Sequence, residues 1–160
     1  MYSIQERSSE GLPKAVLTSS DTTPTVAHHH QPDLDINIYS PRFITGGSPH
    51  PGVIVEPPGL ANVEPPHIRY RPRLPKHLSE TGKLSAMQLE RIIYAGQAHE
   101  QRLADGSRAG ISIGDGTGTG KTATLAGIIL DNWFHGRRRA VWFSVKADLI
   151  EAVSDEFKRL

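Results

Sequence analysis

Nine residues constrain this chain more than any others: Gly114-Asp115-Gly116-Thr117-Gly118-Thr119-Gly120-Lys121-Thr122. Glycine alternates there with small polar residues, so the backbone is nearly bare and can take bends that a Cβ forbids. The run is preceded by the short apolar stretch 109–113. It is followed by a helical pattern from about 120 to 134, with Ala126, Ile129, Leu130 and Trp133 on its apolar face. Strand, glycine-rich loop and helix in that order form the setting in which main-chain amides converge on an anion. The first-turn amides of a helix have no partner, and the helix dipole is positive at that end.

The residue types then suggest the ligand. Gly116, Thr117, Gly118, Thr119 and Gly120 would wrap phosphate oxygens, Lys121 would set its ammonium on the β- and γ-phosphates, and the Thr122 hydroxyl would ligate Mg²⁺. The usual pattern carries glycine where Asp115 stands. Helicase-type motors relax that position and keep G-x-G-K-T, present here as Gly118 to Thr122. The alternative is a glycine-rich strand-to-helix turn with an incidental lysine. Gln88, at the start of the preceding helix, also has two readings. Its amide can read the adenine edge of ATP, or it can simply complete a capping box with Ser85.

Proline divides the chain. All 12 prolines fall between Pro13 and Pro75. The first 66 residues lack apolar periodicity and contain Gly46-Gly47, Pro51-Gly52 and the paired motifs Val55-Glu56-Pro57-Pro58 and Val63-Glu64-Pro65-Pro66. Such a segment buries too little apolar surface to offset its ordering entropy. Residues 1–66 therefore read as a disordered Pro-rich leader, either plain or carrying a docking site for a protein partner. Within it, His28-His29-His30 reads as solvated. Residues 67–160 read as an α/β domain. A helix runs from Ser85 toward Asp105-Gly106, strands fall at 109–113 and 140–145, the loop helix ends at Gly136, and a last helix carries Leu149, Ile150, Val153, Phe157 and Leu160. That order predicts a right-handed βαβ unit with parallel strands. Trp133 and Trp142 are expected in the core.

Composition excludes several classes. With 18 basic and 17 acidic residues the formal net charge is +1, so the chain is no broad polybasic nucleic-acid binder. It has no cysteine, which rules out disulfides, thiolate metal sites and cysteine nucleophiles. No apolar run is long enough to cross a bilayer and the first residues lack a secretory pattern, so no membrane partner is expected. The expected location is intracellular, in the cytoplasm, or in the nucleus of a eukaryote. His77 and His99 have no partners at metal-ligand spacing, leaving nucleotide-bound Mg²⁺ as the expected metal. Arg137-Arg138-Arg139 follows a helix end, where cations are favoured. Contact of that run with nucleic-acid phosphates is its other reading.

From Pro65 to Leu160 the chain resembles the N-terminal part of the ATPase domain of the strawberry notch family. The stretches that carry the resemblance are Tyr70-Arg71-Pro72-Arg73-Leu74-Pro75, Leu84 to Glu90, Tyr94 to Glu100, Arg108-Ala109-Gly110, the loop Gly114 to Lys121, Gly127 to Trp133, and Ala140 to Val145. The resemblance implies a superfamily 2 helicase-like ATPase with a partial RecA-like P-loop NTPase fold. It further implies ATP and Mg²⁺ as cofactors, nucleic acid as a partner (DNA in preference to RNA), and in some members a role in transcription. Hydrolysis requires an acidic box and a second lobe. Asp155-Glu156 lies inside a helical pattern rather than at a strand end, so no catalytic residue is assigned. The expected function is the ATP-binding segment of such a helicase-like ATPase, a truncated piece that does not hydrolyse ATP alone. The alternatives are a non-enzymatic interaction fragment and a P-loop nucleotide-binding regulator of another family.

Overall fold

The computed structural model describes residues 37–42, 46–56, 59 and 62–160. Among the described residues the helices with full bounds are α1 (Lys76–Glu80), α2 (Ala86–His99), α3 (Lys121–Phe134) and α4 (Leu149–Arg159). One short antiparallel pair, β1 (Asn37–Ile38) and β2 (Val55–Glu56), sets Asn37 opposite Glu56 and Ile38 opposite Val55.

The N-terminus of α2 lies where the sequence places it. The Ser85 side chain accepts from the Gln88 amide, and the Gln88 side chain accepts from the Ser85 amide, closing a capping box. A second segment helps to cap the same end. The Ser48 carbonyl accepts from the Ala86 amide at 2.9 Å, while the Ser48 amide donates to Leu84 O at 3.1 Å. Gly47 makes this approach feasible. Its φ is +83°, and a Cβ there would sit 2.5 Å from the Ala86 nitrogen.

α2 and α3 pack on each other through small residues. Ala123, Ala126 and Gly127 of α3 are buried, and a Cβ on Gly127 would meet Ile92 Cδ1 at 2.4 Å. Leu78, Leu84, Leu89, Ile92, Ala95 and Ile128 complete the core, with Leu74, Ile113, Leu130 and Leu160 against its edge. The close approach uses the narrow side of α3 and rotates Trp133 outward. Trp133 is 48 % exposed, a correction to its expected place in the core, and the Arg138 guanidinium lies over its ring at 5.6 Å.

A polar cluster ties residues 69–73 to α3. The Asp131 carboxylate is buried, accepting from Tyr70 OH at 2.6 Å and from the Arg73 amide at 2.7 Å. The Tyr70 ring stacks on His135 and fills the space beside Gly96, where a Cβ would meet it at 2.0 Å. Burial, helped by the hydrogen bond to Asp131, pushes the Tyr70 phenol well above its ordinary range.

The expected parallel strands are not seen among the described residues. Residues 109–113 and 140–145 carry no ladder, and among the described residues the only sheet is the antiparallel β1–β2 pair. The physical reason lies in what a parallel strand needs. Its hydrogen bonds are made to neighbouring strands, and both of its faces must be covered. Here Phe143 is 91 % exposed, and Val141 and Val145 are likewise uncovered. Residues 101–109 instead form a tight turn, with Leu103 N donating to Ser107 O, Ala109 N to Gln101 O, and Gly106 at φ +80°.

Of the expected leader, residues 1–36, including His28-His29-His30, lie outside the described residues. Residues 37–42 and 46–56 carry the β1–β2 pair and contacts to α2. Tyr39 OH donates to the buried Glu90 carboxylate of α2, and the Arg42 amide donates to its other oxygen at 3.1 Å. Burial pushes the Glu90 carboxyl above its ordinary range, and the Arg42 amide pulls it part of the way back. A carboxyl that binds its proton more tightly in the folded chain favours folding at low pH. That contribution is lost as pH rises through the folded-state pKa. Glu90→Gln keeps an acceptor for the Arg42 amide and cannot ionise. Relative to the parent chain it is expected to gain stability as pH climbs from about 4 to 7, the span above the ordinary glutamate value. Paired thermal melts across that range check this, and a pH-independent difference refutes it.

Candidate functional site

The glycine-rich loop sits at the head of α3, whose first residue is Lys121. Gly118 and Gly120 both have left-handed backbones, with φ of +84° and +71°. Gly120 is fixed for a second reason, since a Cβ would lie 2.3 Å from Gln88 Nε2. A Cβ on Gly114, Gly116 or Gly118 would meet nothing within 4 Å, so these glycines leave open space along the loop. The two helix starts differ. α2 is closed by its capping box, whereas no side chain caps α3 and no acidic residue lies in its first turn. The first-turn amides of α3 therefore keep their capacity for an anion.

Side chains tie the loop down. The Lys121 ammonium donates to Asp115 O at 2.8 Å and to Gly116 O at 2.7 Å. Thr119, buried, donates from its hydroxyl to Gly116 O at 3.1 Å. Arg91 of α2 reaches Asp115 with both sides of its fork. Nη2 donates to Oδ1 at 2.8 Å, and Nε lies 2.7 Å from Oδ2. A cavity of about 530 Å³ opens beside the loop, lined by Tyr39, residues 53–56, Arg91, residues 114–117 and Thr119. This lies within the size range of ligand pockets.

Gly116, Thr117, Gly118, Thr119, Gly120, Lys121 and Thr122 are thus contiguous at one helix end, and Gln88 is brought to them. Its amide nitrogen lies 3.4 Å from Gly120 O while its oxygen serves the Ser85 amide. Asp155 and Glu156 stand on α4 in ion pairs with Lys158 and Arg159, one turn along. Arg137 donates to Asn132 Oδ1 at 2.6 Å, just beyond the end of α3. His99 lies next to Asn132, and burial together with Arg137 and Arg108 pushes its pKa down. Among the described residues no three histidine or acidic side chains group as a metal site. A P-loop Mg²⁺ does not require such a group, because one hydroxyl, the phosphates and water complete its shell. Thr122, half-buried in the first turn of α3, fits that donor set.

The sequence reading missed Arg91 and the part played by Tyr39 and residues 53–56. Two signals were available: Arg91 stands three residues after Gln88 on the same helix, and Asp115 is an acid where the loop pattern has glycine.

Residues 49–160 match the family described as P-loop containing NTP hydrolase pore-1, which defines the class of this domain. Among curated proteins, the chain is 50 % identical over 111 residues to protein strawberry notch of Drosophila melanogaster, covering 69 % of this chain and 7 % of that protein. It is 42 % identical over 149 residues to strawberry notch homolog 2 of Homo sapiens, covering 93 % and 10 % respectively. Against protein FORGETTER 1 of Arabidopsis thaliana the identity is 47 % over 111 residues, covering 69 % and 9 %. The chain belongs to the strawberry notch family. It spans no more than about a tenth of the length of these relatives. No solved structure matches it significantly.

Proposed function

We propose that this chain is the ATP-binding segment of a strawberry-notch-like, helicase-type ATPase. Residues 116–122 hold the phosphates, and Thr122 holds Mg²⁺, which would supply charge neutralisation at the β- and γ-phosphates. One observation carries the reading: an uncapped helix start led by Lys121, entered through two left-handed glycines, beside a cavity of ligand size. Gln88 stands close enough to the loop to contact the base, provided its long bond to Gly120 O yields. Residues 109–113 and 140–145 would serve as strands of a RecA-like sheet in a longer protein, which accords with the exposed apolar side chains Val141, Phe143 and Val145. Nucleic acid, DNA in preference to RNA, is the partner such a motor would act on, and the setting is intracellular. No helix among the described residues is long and apolar enough to cross a membrane. No catalytic residue is assigned within this chain.

Titration with a fluorescent ATP analogue tests the proposal. Saturable binding is expected, tighter with Mg²⁺ and displaced by ATP and ADP but poorly by AMP. No ATP turnover is expected from the chain alone, with or without DNA. Failure to bind at millimolar nucleotide would overturn the reading. It would favour a non-enzymatic interaction segment, the role suggested by the uncovered apolar surface of Val141, Phe143, Val145 and Ile150.

A further inference from the structure

A carboxylate is a poor neighbour for a triphosphate, yet the loop carries one. Asp115 lies between Gly114 and Gly116, in the wall of the 530 Å³ cavity. Two unlike charges close together in partly dehydrated surroundings attract, and two like charges there repel, both more strongly than in water. The Asp115 and Arg91 side chains are only 19 % and 16 % exposed, so their interaction is not that of a freely solvated surface pair. Arg91 comes from a different element, α2, and its planar fork meets both carboxylate oxygens, a geometry lysine cannot copy.

Main-chain contacts add to the argument. Lys121 holds the Asp115 carbonyl at 2.8 Å, so the two cations grip Asp115 from its backbone and its side chain. If a phosphate recruits the Lys121 ammonium, Arg91 becomes the remaining side-chain anchor of Asp115. Only Nη2 donates a hydrogen bond to Asp115, to Oδ1; the Nε–Oδ2 approach at 2.7 Å is an ion-pair contact, and both Oδ2 and the third guanidinium nitrogen, Nη1, are buried without a hydrogen bond within the described residues.

Resting on the nucleotide reading above, we propose that Arg91 is a positioning residue for anion binding: by pairing with Asp115 it cancels the carboxylate beside the phosphates and fixes the front half of the loop. Arg91 acts through Asp115, and the cancelled charge is what distinguishes this role from simple bracing.

The test uses the whole chain, a fluorescent ATP analogue as probe, and ATP, ADP and AMP as competitors. Arg91→Ala is expected to weaken ATP binding about tenfold, with a smaller loss for ADP and the least for AMP, because repulsion scales with ligand charge. Asp115→Asn alone is expected to bind as well as the parent or a few-fold tighter. The double variant Arg91→Ala with Asp115→Asn is expected to return to within about twofold of the parent, a rescue that a bracing role would not produce. Thermal melts of every variant confirm that binding is compared between folded chains. If Arg91→Ala binds like the parent, or if Asp115→Asn fails to rescue it, the inference is overturned while the nucleotide reading stands. If the parent chain binds no nucleotide, the nucleotide reading itself falls.

Discussion

Lys121→Ala is expected to lower the affinity for ATP by about 100-fold or more, equivalent to about 2.8 kcal/mol. The ammonium stands over the loop and donates to the carbonyls of Asp115 and Gly116. Charge-assisted bonds from an ammonium to phosphate oxygens are roughly twice as strong as neutral ones, and two or more such bonds are lost together. Little stability should be lost with them. Lys121 opens α3, alanine is the best helix former, and the ammonium's hydrogen bonds go to the carbonyls of Asp115 and Gly116. Equilibrium binding of a fluorescent ATP analogue to a variant shown by circular dichroism to be folded is the appropriate measurement. Parent-like affinity would mean that the loop is a turn with an incidental lysine.

Asp131→Ala is expected to cost about 3 kcal/mol of stability, or roughly 10 °C in Tm for a chain of this size. The carboxylate is 1 % exposed and serves two donors at once, Tyr70 OH at 2.6 Å and the Arg73 amide at 2.7 Å. Removing it strands the Arg73 amide, leaves Tyr70 OH only the His135 ring nitrogens at 3.2 and 3.3 Å, and takes from the chain before α1 its polar anchor on α3. Leaving a buried donor unpaired costs about 1–3 kcal/mol each, which sets the figure. Asp131→Asn retains one oxygen and should lose about half as much. Urea denaturation of the two variants separates these outcomes. A loss below 1 kcal/mol for the alanine variant would show that the cluster is not the clamp described here.

The glycine-rich turn at the start of α3 was legible because its message is local. Alternating glycines, a lysine and a threonine followed by an amphipathic stretch dictate a bare turn at a helix start, with no help from the rest of the chain. Ser85 and Gln88 were legible for the same reason, since a capping box spans four residues. Strands were another matter. The apolar runs 109–113 and 140–145 have strand composition, but a parallel strand exists only through its neighbours, and a short apolar run cannot supply them. Trp133 failed by rotation. Helical spacing marks an apolar stripe, but the side of α3 that meets α2 is chosen by how closely two backbones can approach, and Gly127 sets that. The partners Tyr39–Glu90, Tyr70–Asp131 and Arg91–Asp115 are distant along the chain and had no signature in spacing.

Glu90 and Arg91 are consecutive residues of α2, yet one grips the segment around Tyr39 and the other grips the glycine loop. A single stiff rod therefore has one hand on each side of the cavity. The segment around Tyr39 and the front of the glycine loop are thus both held by neighbouring side chains of one helix.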